Sequence, residues 1–587
     1  MPILFSLGIH DALQSVHSQL ADGELLFAFL DDVYVLAEPD RVRTLYNLLE
    51  AAFREHCGIE LNAGKTRAWN AAGSPPPDLE DLGAEVWDPH GIKVLGTPVG
   101  ADDFVRACTT ERVNSERDLL AALQEVPDLQ SAWQILVQSA GPRCNHLLRT
   151  LPPSQSAEYA QAHDQAMWQS VKNLLGLTSA EMHSPELATL PMRLGGLGVR
   201  SAARTAIAAF WASWADAIEM IQQRCPQLAA DILAELSNGP STPCLLELEA
   251  AEQQLRREQI LDRPTWPDFA QGRRPAPRAQ ERELGEWSQG WQFFAASARE
   301  HHFRRSRFGT NEVLMARLRS RSGPGSSAAL SGCPTCPEYT IAASEFRTLL
   351  LDRLYLPLPA TTHRCEGCGD VLDTRGHHLT ACTKTGRVRK RAMPIERTVA
   401  RACREAGGAT RTEVMLKDMN IGVAASDKRR MDVLVQGLPC FAGAQIAVDA
   451  TLRSSISSSG LPQGRAASED GQTCIAAVRD KDSKYPELVA GGRCKLVVFA
   501  LEVGGRFGKE ALELLDQLAW AKSRSASPLT RSAALLAWRR RWIRMIAISA
   551  GVAWARSVTA PTETVPDGPC DGHEPPQDSV LSDARRC

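Results

Sequence analysis

No stretch of about 18 or more uninterrupted apolar residues occurs in this chain, so a membrane-spanning helix is not expected. The first residues, MPILFSLGIHDAL, lack both a basic stretch and a small-residue cleavage site, which argues against a secretory signal peptide. No internal repeat is visible, and a fibrous array is excluded. Lysine is scarce: 12 against 54 arginines, with nine of the 12 from Lys384 onward. Arginine is the better bidentate phosphate ligand, but such a skew also follows from genomic base composition. Local clusters such as Arg387, Arg389, Lys390 and Arg391 therefore say more than the ratio. Sixteen cysteines without a secretory signal read as reduced thiols or metal ligands, not as a disulfide frame.

What is present is ordinary globular material. The 587 residues are 44% hydrophobic and 23% charged, enough for about four units of ~150 residues each. The net charge of −3 argues neither for nor against a polyanionic partner. The patterning predicts a multidomain chain of mixed α/β and α character. Residues 1–105 alternate helices and hairpins, and 106–235 are dominated by helix. Residues 236–345, with Pro-, Gly- and Arg-rich stretches around short helices, read as a poorly packed connector. A Cys/His segment (346–392) precedes alternating helix and strand (393–525), a basic Trp/Arg helix (526–559) and a disordered tail (560–587).

Three groups of residues carry chemistry. The sharpest is Cys365-x2-Cys368-x8-His377-x4-Cys382. The x2 spacing aims two thiolates at one ion, and the His and last Cys fit a short helical turn completing a tetrahedral set suited to structural Zn²⁺. His378 rivals His377 for the third place. The basic run RVRKR that follows is either a phosphate grip or a solvated linker.

The second group is Asp31-Asp32 at the tip of an apolar hairpin, AFLDDVYV. Adjacent carboxylates repel by roughly 3–4 kcal/mol at ~4–5 Å in an effective dielectric near ~20. A pair of divalent cations would relieve this and would suit phosphoryl transfer; a solvated turn is the plainer explanation. The third group lies in apolar strands, with Asp432 in MDVLV, Asp449 in IAVDAT and Glu502 in FALEVGG, and with Lys481 and Lys484 between the second and third. Buried carboxylates need a metal, a base or hydrogen bonds. Two acids on neighbouring strands with a lysine meet the requirement for metal-assisted phosphodiester cleavage, although each acid alone also fits a salt-bridged strand end. In the helix AALLAWRRRWIRMIAIS, Trp538 and Trp542 either lie along DNA or pack on the preceding domain.

Taken in order, these segments resemble the polymerases of non-LTR retrotransposons. Pro2-Ile3-Leu4-Phe5, AFLDDVYV, GIELNAGKT and VLGTPVG follow the order of reverse-transcriptase palm motifs. SAGPRCNHLLRTLPP and LPMRLGGLGVRSA resemble the thumb and following helices. The resemblance implies that Asp31 and Asp32 are the Mg²⁺-binding (or Mn²⁺-binding) pair, with Lys65 near the incoming triphosphate and Gly96 at the primer grip. The third palm carboxylate and the fingers belong to motifs preceding this resemblance, so the chain is expected not to polymerise. RCEGCGDVLDTRGHHLTAC resembles a CCHC knuckle. The helix with Glu396 and Glu405, then Asp432, Asp449, Lys484-Tyr485 and FALEVGG, resembles the restriction-like PD-(D/E)xK nucleases of such elements, with Met431 in place of the usual Pro and Thr451 in place of the usual Lys. Lys481 or Lys484 must then supply the amine, and the Lys-Tyr pair favours Lys484. The family function is to nick target DNA and prime reverse transcription of element RNA from the nick, which implies Mg²⁺ or Mn²⁺, Zn²⁺, DNA and RNA partners and a nuclear site of action. The alternatives are a non-catalytic zinc-containing nucleic-acid-binding protein and a decayed retroelement product.

Overall fold

The computed structural model describes residues 2–83, 85–178, 183–258, 264–275, 290–359, 363–559, 575 and 577–586. Two compact units emerge: Met1–Glu116 with His146–Tyr159, and Arg117–Asn145 with Ala160–Cys587. Among the described residues no helix is long and apolar enough to cross a membrane.

In the first unit, the helix His10–His17 buries Ala12 and Val16 against Leu49, Ala52 and Phe53 of the helix Val42–Cys57. The latter ends at Gly58, whose φ of +64° lets its amide reach the Arg54 carbonyl, the left-handed cap motif, while the Ile59 amide reaches back to Phe53. Two hairpins complete the unit: β1 (Leu25–Phe29) with β2 (Asp32–Leu36), and β3 (Gly91–Val94) with β4 (Thr97–Gly100).

The second unit is mostly helical around one four-stranded sheet, β5 (Ala409–Met415), β6 (Arg430–Gln436), β7 (Gln445–Arg453) and β8 (Cys494–Glu502), in that spatial order. The first three strands pair antiparallel, whereas β7 and β8 are parallel, Asp449 standing opposite Val498. A parallel pair needs a crossover, and the helix Gln472–Lys484 lies on that path. One face of the sheet buries Val433, Val448 and Phe499 in a core shared with the helices Arg387–Glu405, Lys509–Ser523 and Arg531–Thr559. The other buries Ala447 and Val498 against Cys474, Ala477, Tyr485 and Leu488. The β5–β6 ladder skips the Glu413–Asp432 position, where Glu413 takes a left-handed φ of +53°. The register is the same on either side of this interruption, so neither strand gains a residue there.

Two expectations need correction. Residues 236–345 are not a poorly packed connector. They form the helices Pro243–Arg257, Trp266–Ala270, Trp291–Phe308 and Glu312–Ser320, and the aromatic rings of Trp211, Phe269 and Trp291 meet edge to face at 5.1–6.0 Å. Aromatic burial of this kind outweighs the local Pro and Gly content; residues 276–289 lie outside the described residues. Nor is the whole of 560–587 without structure. Residues 560–574 lie outside the described residues, but Gln577–Arg586 is a helix whose Val580 is buried in the main core.

Candidate functional site

The Cys/His segment folds as a knuckle. Cys365, Cys368, His378 and Cys382 bring four ligand atoms within 4.8 Å of one another, the one such group of His, Cys, Asp or Glu among the described residues. The Cys368 thiol lies 3.1 Å from His378 Nε2, and the Cys382 sulfur is 3.8 Å from Cys368 and 3.9 Å from Cys365. Burial raises the Cys365 thiol, but the Cys368 and Gly367 amides outweigh it and hold the group down at about 6, so a thiolate is favoured. Three sulfurs and an imidazole at this spacing suit Zn²⁺.

The imidazole that joins the three thiols is that of His378, not His377. Both lie on the short helix His377–Ala381, whose first amides are capped by Asp373: His377 N–H donates to Oδ1 at 3.0 Å and His378 N–H to Oδ2 at 2.7 Å. Successive helical residues point about 100° apart. His378 therefore faces the thiols while His377 turns inward, stacks on Tyr355 and meets Arg317 Nη1 at 2.7 Å through Nε2. Burial and the Arg317 charge push the His377 imidazole down to about 4, so it is neutral and accepts from Arg317.

The acids of the sheet gather as a second constellation. Asp449, 2% exposed, accepts from the Tyr485 hydroxyl at 2.9 Å through Oδ2. Its Oδ1 has no hydrogen-bond donor of suitable geometry and is met only as an ion pair by the Lys481 ammonium. Asp432 accepts the Ala450 amide at 2.7 Å across the β6–β7 pair. Burial, followed by repulsion from Asp449, pushes its carboxyl up to about 7. Glu396 on the helix Arg387–Glu405 is driven to about 8 by burial and then by Asp432, Glu413 and Asp449. Asp432 and Glu396 are thus both raised by burial and by neighbouring carboxylates, a crowding of negative charge that a counter-charge would relieve. Asp449 Oδ1 is met by the Lys481 ammonium, and the three acids do not form a ligand group as close as that of the knuckle. Glu396 was visible in the sequence only as part of a helix, because nothing in its spacing announces that it meets the strands.

Lys481 rather than Lys484 touches Asp449. Both belong to the helix Gln472–Lys484, but Lys484 lies with its ammonium 4.7 Å from the Tyr485 ring centre. Its pKa is lowered by burial and the neighbouring Lys481 charge. Glu502 stands apart at the far end of β8, opposite Arg453, and accepts from Thr473 at 2.7 Å; it is a hydrogen-bonded strand-end acid.

In the first unit, Asp31 and Asp32 are exposed at the β1–β2 turn, where Leu30 takes a φ of +58°. Leu95 and Gly96 form the β3–β4 turn with φ of +49° and +79°, the two-positive pattern of a type I′ hairpin. The Leu95 amide donates to the Tyr34 hydroxyl at 3.1 Å, tying the two hairpins together. Lys65 is exposed in the 3₁₀ turn Ala63–Lys65.

No family model matches the chain. The retrotransposable element SLACS 132 kDa protein of Trypanosoma brucei gambiense is 27% identical over 206 residues, which is 35% of this chain and 17% of that protein. The chain is a distant partial homologue of a retrotransposon protein. That kinship supports a retrotransposon origin, and the matched stretch spans well under a quarter of the relative's length.

Proposed function

We propose that the second unit is a divalent-cation-dependent DNA endonuclease of retroelement origin, carried beside a zinc knuckle. The observation that carries this reading is Asp449, buried between Tyr485 and Lys481, with the Asp432 and Glu396 carboxyls beside it held above their usual range by burial and by its charge. Asp432 and Asp449, with Glu396, would hold Mg²⁺ or Mn²⁺, and such a cation supplies a more acidic water and charge against the phosphodiester. Lys481 holds its ammonium at the same carboxylate, where it can balance charge growing on a cleaved phosphate. Tyr485 fixes the Asp449 carboxylate through its other oxygen.

The whole-element reading follows by kinship. As a fragment of such an element protein, the chain nicks target DNA in the nucleus and leaves the 3′-hydroxyl from which element RNA is reverse-transcribed, while its own polymerase centre is inactive. In the first unit Asp31 and Asp32 would be the remnant of the palm cation pair, with Lys65 on the triphosphate side and Gly96 at the primer grip.

The test is conversion of supercoiled plasmid to open circle by the purified full chain with Mg²⁺ or Mn²⁺. Asp449→Asn and Asp432→Asn should each abolish nicking while DNA binding persists. Equal nicking by wild type and Asp432→Asn/Asp449→Asn would sink the nuclease, and retained zinc-dependent DNA binding would then leave a non-catalytic binding protein.

A further inference from the structure

Beneath the knuckle helix lies a cavity that neither the zinc set nor the acid constellation uses. We propose that this cavity, walled by Arg317, Arg321, Arg375, His377, Ser454 and Ser455, binds one phosphate group.

The charge balance is the first argument. Arg317 and Arg321 lie four residues apart at the C-terminal end of the helix Glu312–Ser320 and share one carboxylate, Asp352. Arg321 Nη2 reaches Asp352 Oδ2 at 2.6 Å. Arg353, beside them and 5% exposed, meets only carbonyl oxygens, Gly196 at 3.1 Å and Ser326 at 2.7 Å. Three guanidiniums against one carboxylate leave a surplus of two positive charges (3 − 1), out of reach of bulk water, and such a surplus is unfavourable unless an anion completes it. A phosphomonoester carries about −1.5 to −2 at neutral pH.

The second argument is an unmet donor. The Arg317 side chain is 8% exposed, and its Nε is buried with no acceptor. His377 does not answer the need, because its Nε2 is already occupied by Arg317 Nη1. Asp352 is the one acid in the wall. Burial, with the Arg317 charge next, pushes Arg321 down to about 9, the direction expected where a cation has too few anions around it.

Size selects the ligand. The space open to the centre of a water-sized sphere is about 30 Å³, where ~10–15 Å³ by that measure holds one water. One tetrahedral oxyanion suits this volume, and a base or sugar does not. The lining includes Ser454 and Ser455 after β7 and Val503 and Gly504 after β8. Ser454 follows Asp449 by five residues, roughly 16 Å of strand, so the pocket is separate from the cation-binding acids. A terminal phosphate on a nucleic-acid strand and a free phosphate share this chemistry.

Calorimetry on the full zinc-loaded chain tests the proposal, with inorganic phosphate titrated against chloride at matched ionic strength. One site is expected, weakened at least tenfold by Arg375→Gln and by Ser455→Ile, both in the lining. Zinc content and melting temperature of both variants report that they remain folded, a check that Arg317 variants, which break a buried ion pair, would not pass. A tenfold preference for a 5′-phosphorylated oligonucleotide over the same strand with a 5′-hydroxyl assigns the site to strand ends. Phosphate binding without that preference assigns it to free phosphate or a small phosphomonoester. No phosphate-specific heat in wild type, or undiminished affinity in both variants, overturns the proposal. Plasmid nicking by wild type is a separate measurement, so its absence alongside phosphate binding sinks the nuclease alone.

Discussion

His377 and His378 show how far one position on a helical turn decides chemistry. Their spacing from Cys368 differs by a single residue, and zinc knuckles accept either; only the Asp373 cap, which fixes the rotation of the short helix, chooses between them. That cap is legible as an Asp in a turn, but its effect on ring direction is not. His378→Ala is expected to release zinc and His377→Ala to retain it, as read by metal analysis of the purified protein. The lysines pose the same kind of problem. The sequence favours Lys484 by its tyrosine neighbour, yet helical spacing from the strand places Lys481 against Asp449. Lys481→Ala should reduce nicking by about 10²–10³-fold, the loss typical of one preorganised charge donor. Lys484→Ala should stay within about tenfold, both measured as rates at saturating cation.

At the scale of elements, the strands MDVLVQG, QIAVDAT and KLVVFALEV and the helix PIERTVARACREAGG were legible to within a few residues, whereas the strand Ala409–Met415 was not. The burial of the basic segments was not legible there. In RVRKR, Arg387 and Arg391 are buried while Arg389 and Lys390 face outward, so the run is half core and half surface. The helix Arg531–Thr559 likewise packs inward. Trp538 and Trp542 are fully buried, and Arg541 joins Glu405, which also accepts from Arg401 at 3.0 Å and from the Trp542 indole at 2.8 Å. Every oxygen of Glu405 is thus answered, and removing the acid leaves Arg401 and Arg541 to share Glu338, at 2.7 and 3.9 Å. Glu405→Ala should cost about 3–5 kcal/mol, read as a lower denaturant midpoint. Burial pushes the Glu405 carboxyl up, but Arg541, Trp542 and Arg401 together outweigh it and hold it below the usual range. A depressed folded-state value means that the unfolded chain binds the proton more readily. The stabilisation is therefore fully present above the ordinary carboxylate range near ~4.3 and is lost as pH falls through the folded value. An acid titration followed by far-UV circular dichroism should show wild type losing this increment below pH ~4, and Glu405→Gln lacking it throughout.

For the molecule as a whole, composition was a poor guide to where structure stops. Pro, Gly and Arg density marked 236–345 as loose, but three aromatic residues contributed from distant segments organise much of it, and no local window contains that information. The knuckle was legible because its four ligands lie within eighteen residues of chain, whereas Glu396, Asp432, Asp449 and Lys481 become neighbours only once the sheet is paired. The short helix His377–Ala381 has a wider consequence. It holds a zinc ligand on one side and a wall of the arginine cavity on the other, so whatever fixes its rotation is common to both. Metal at the thiols and anion at the guanidiniums are therefore thermodynamically linked, each favouring the conformation that the other requires. Stripping zinc with a chelator should weaken phosphate binding. By reciprocity, saturating phosphate should slow the escape of zinc by the same free energy, so that a structural metal becomes a gauge of the anion beside it.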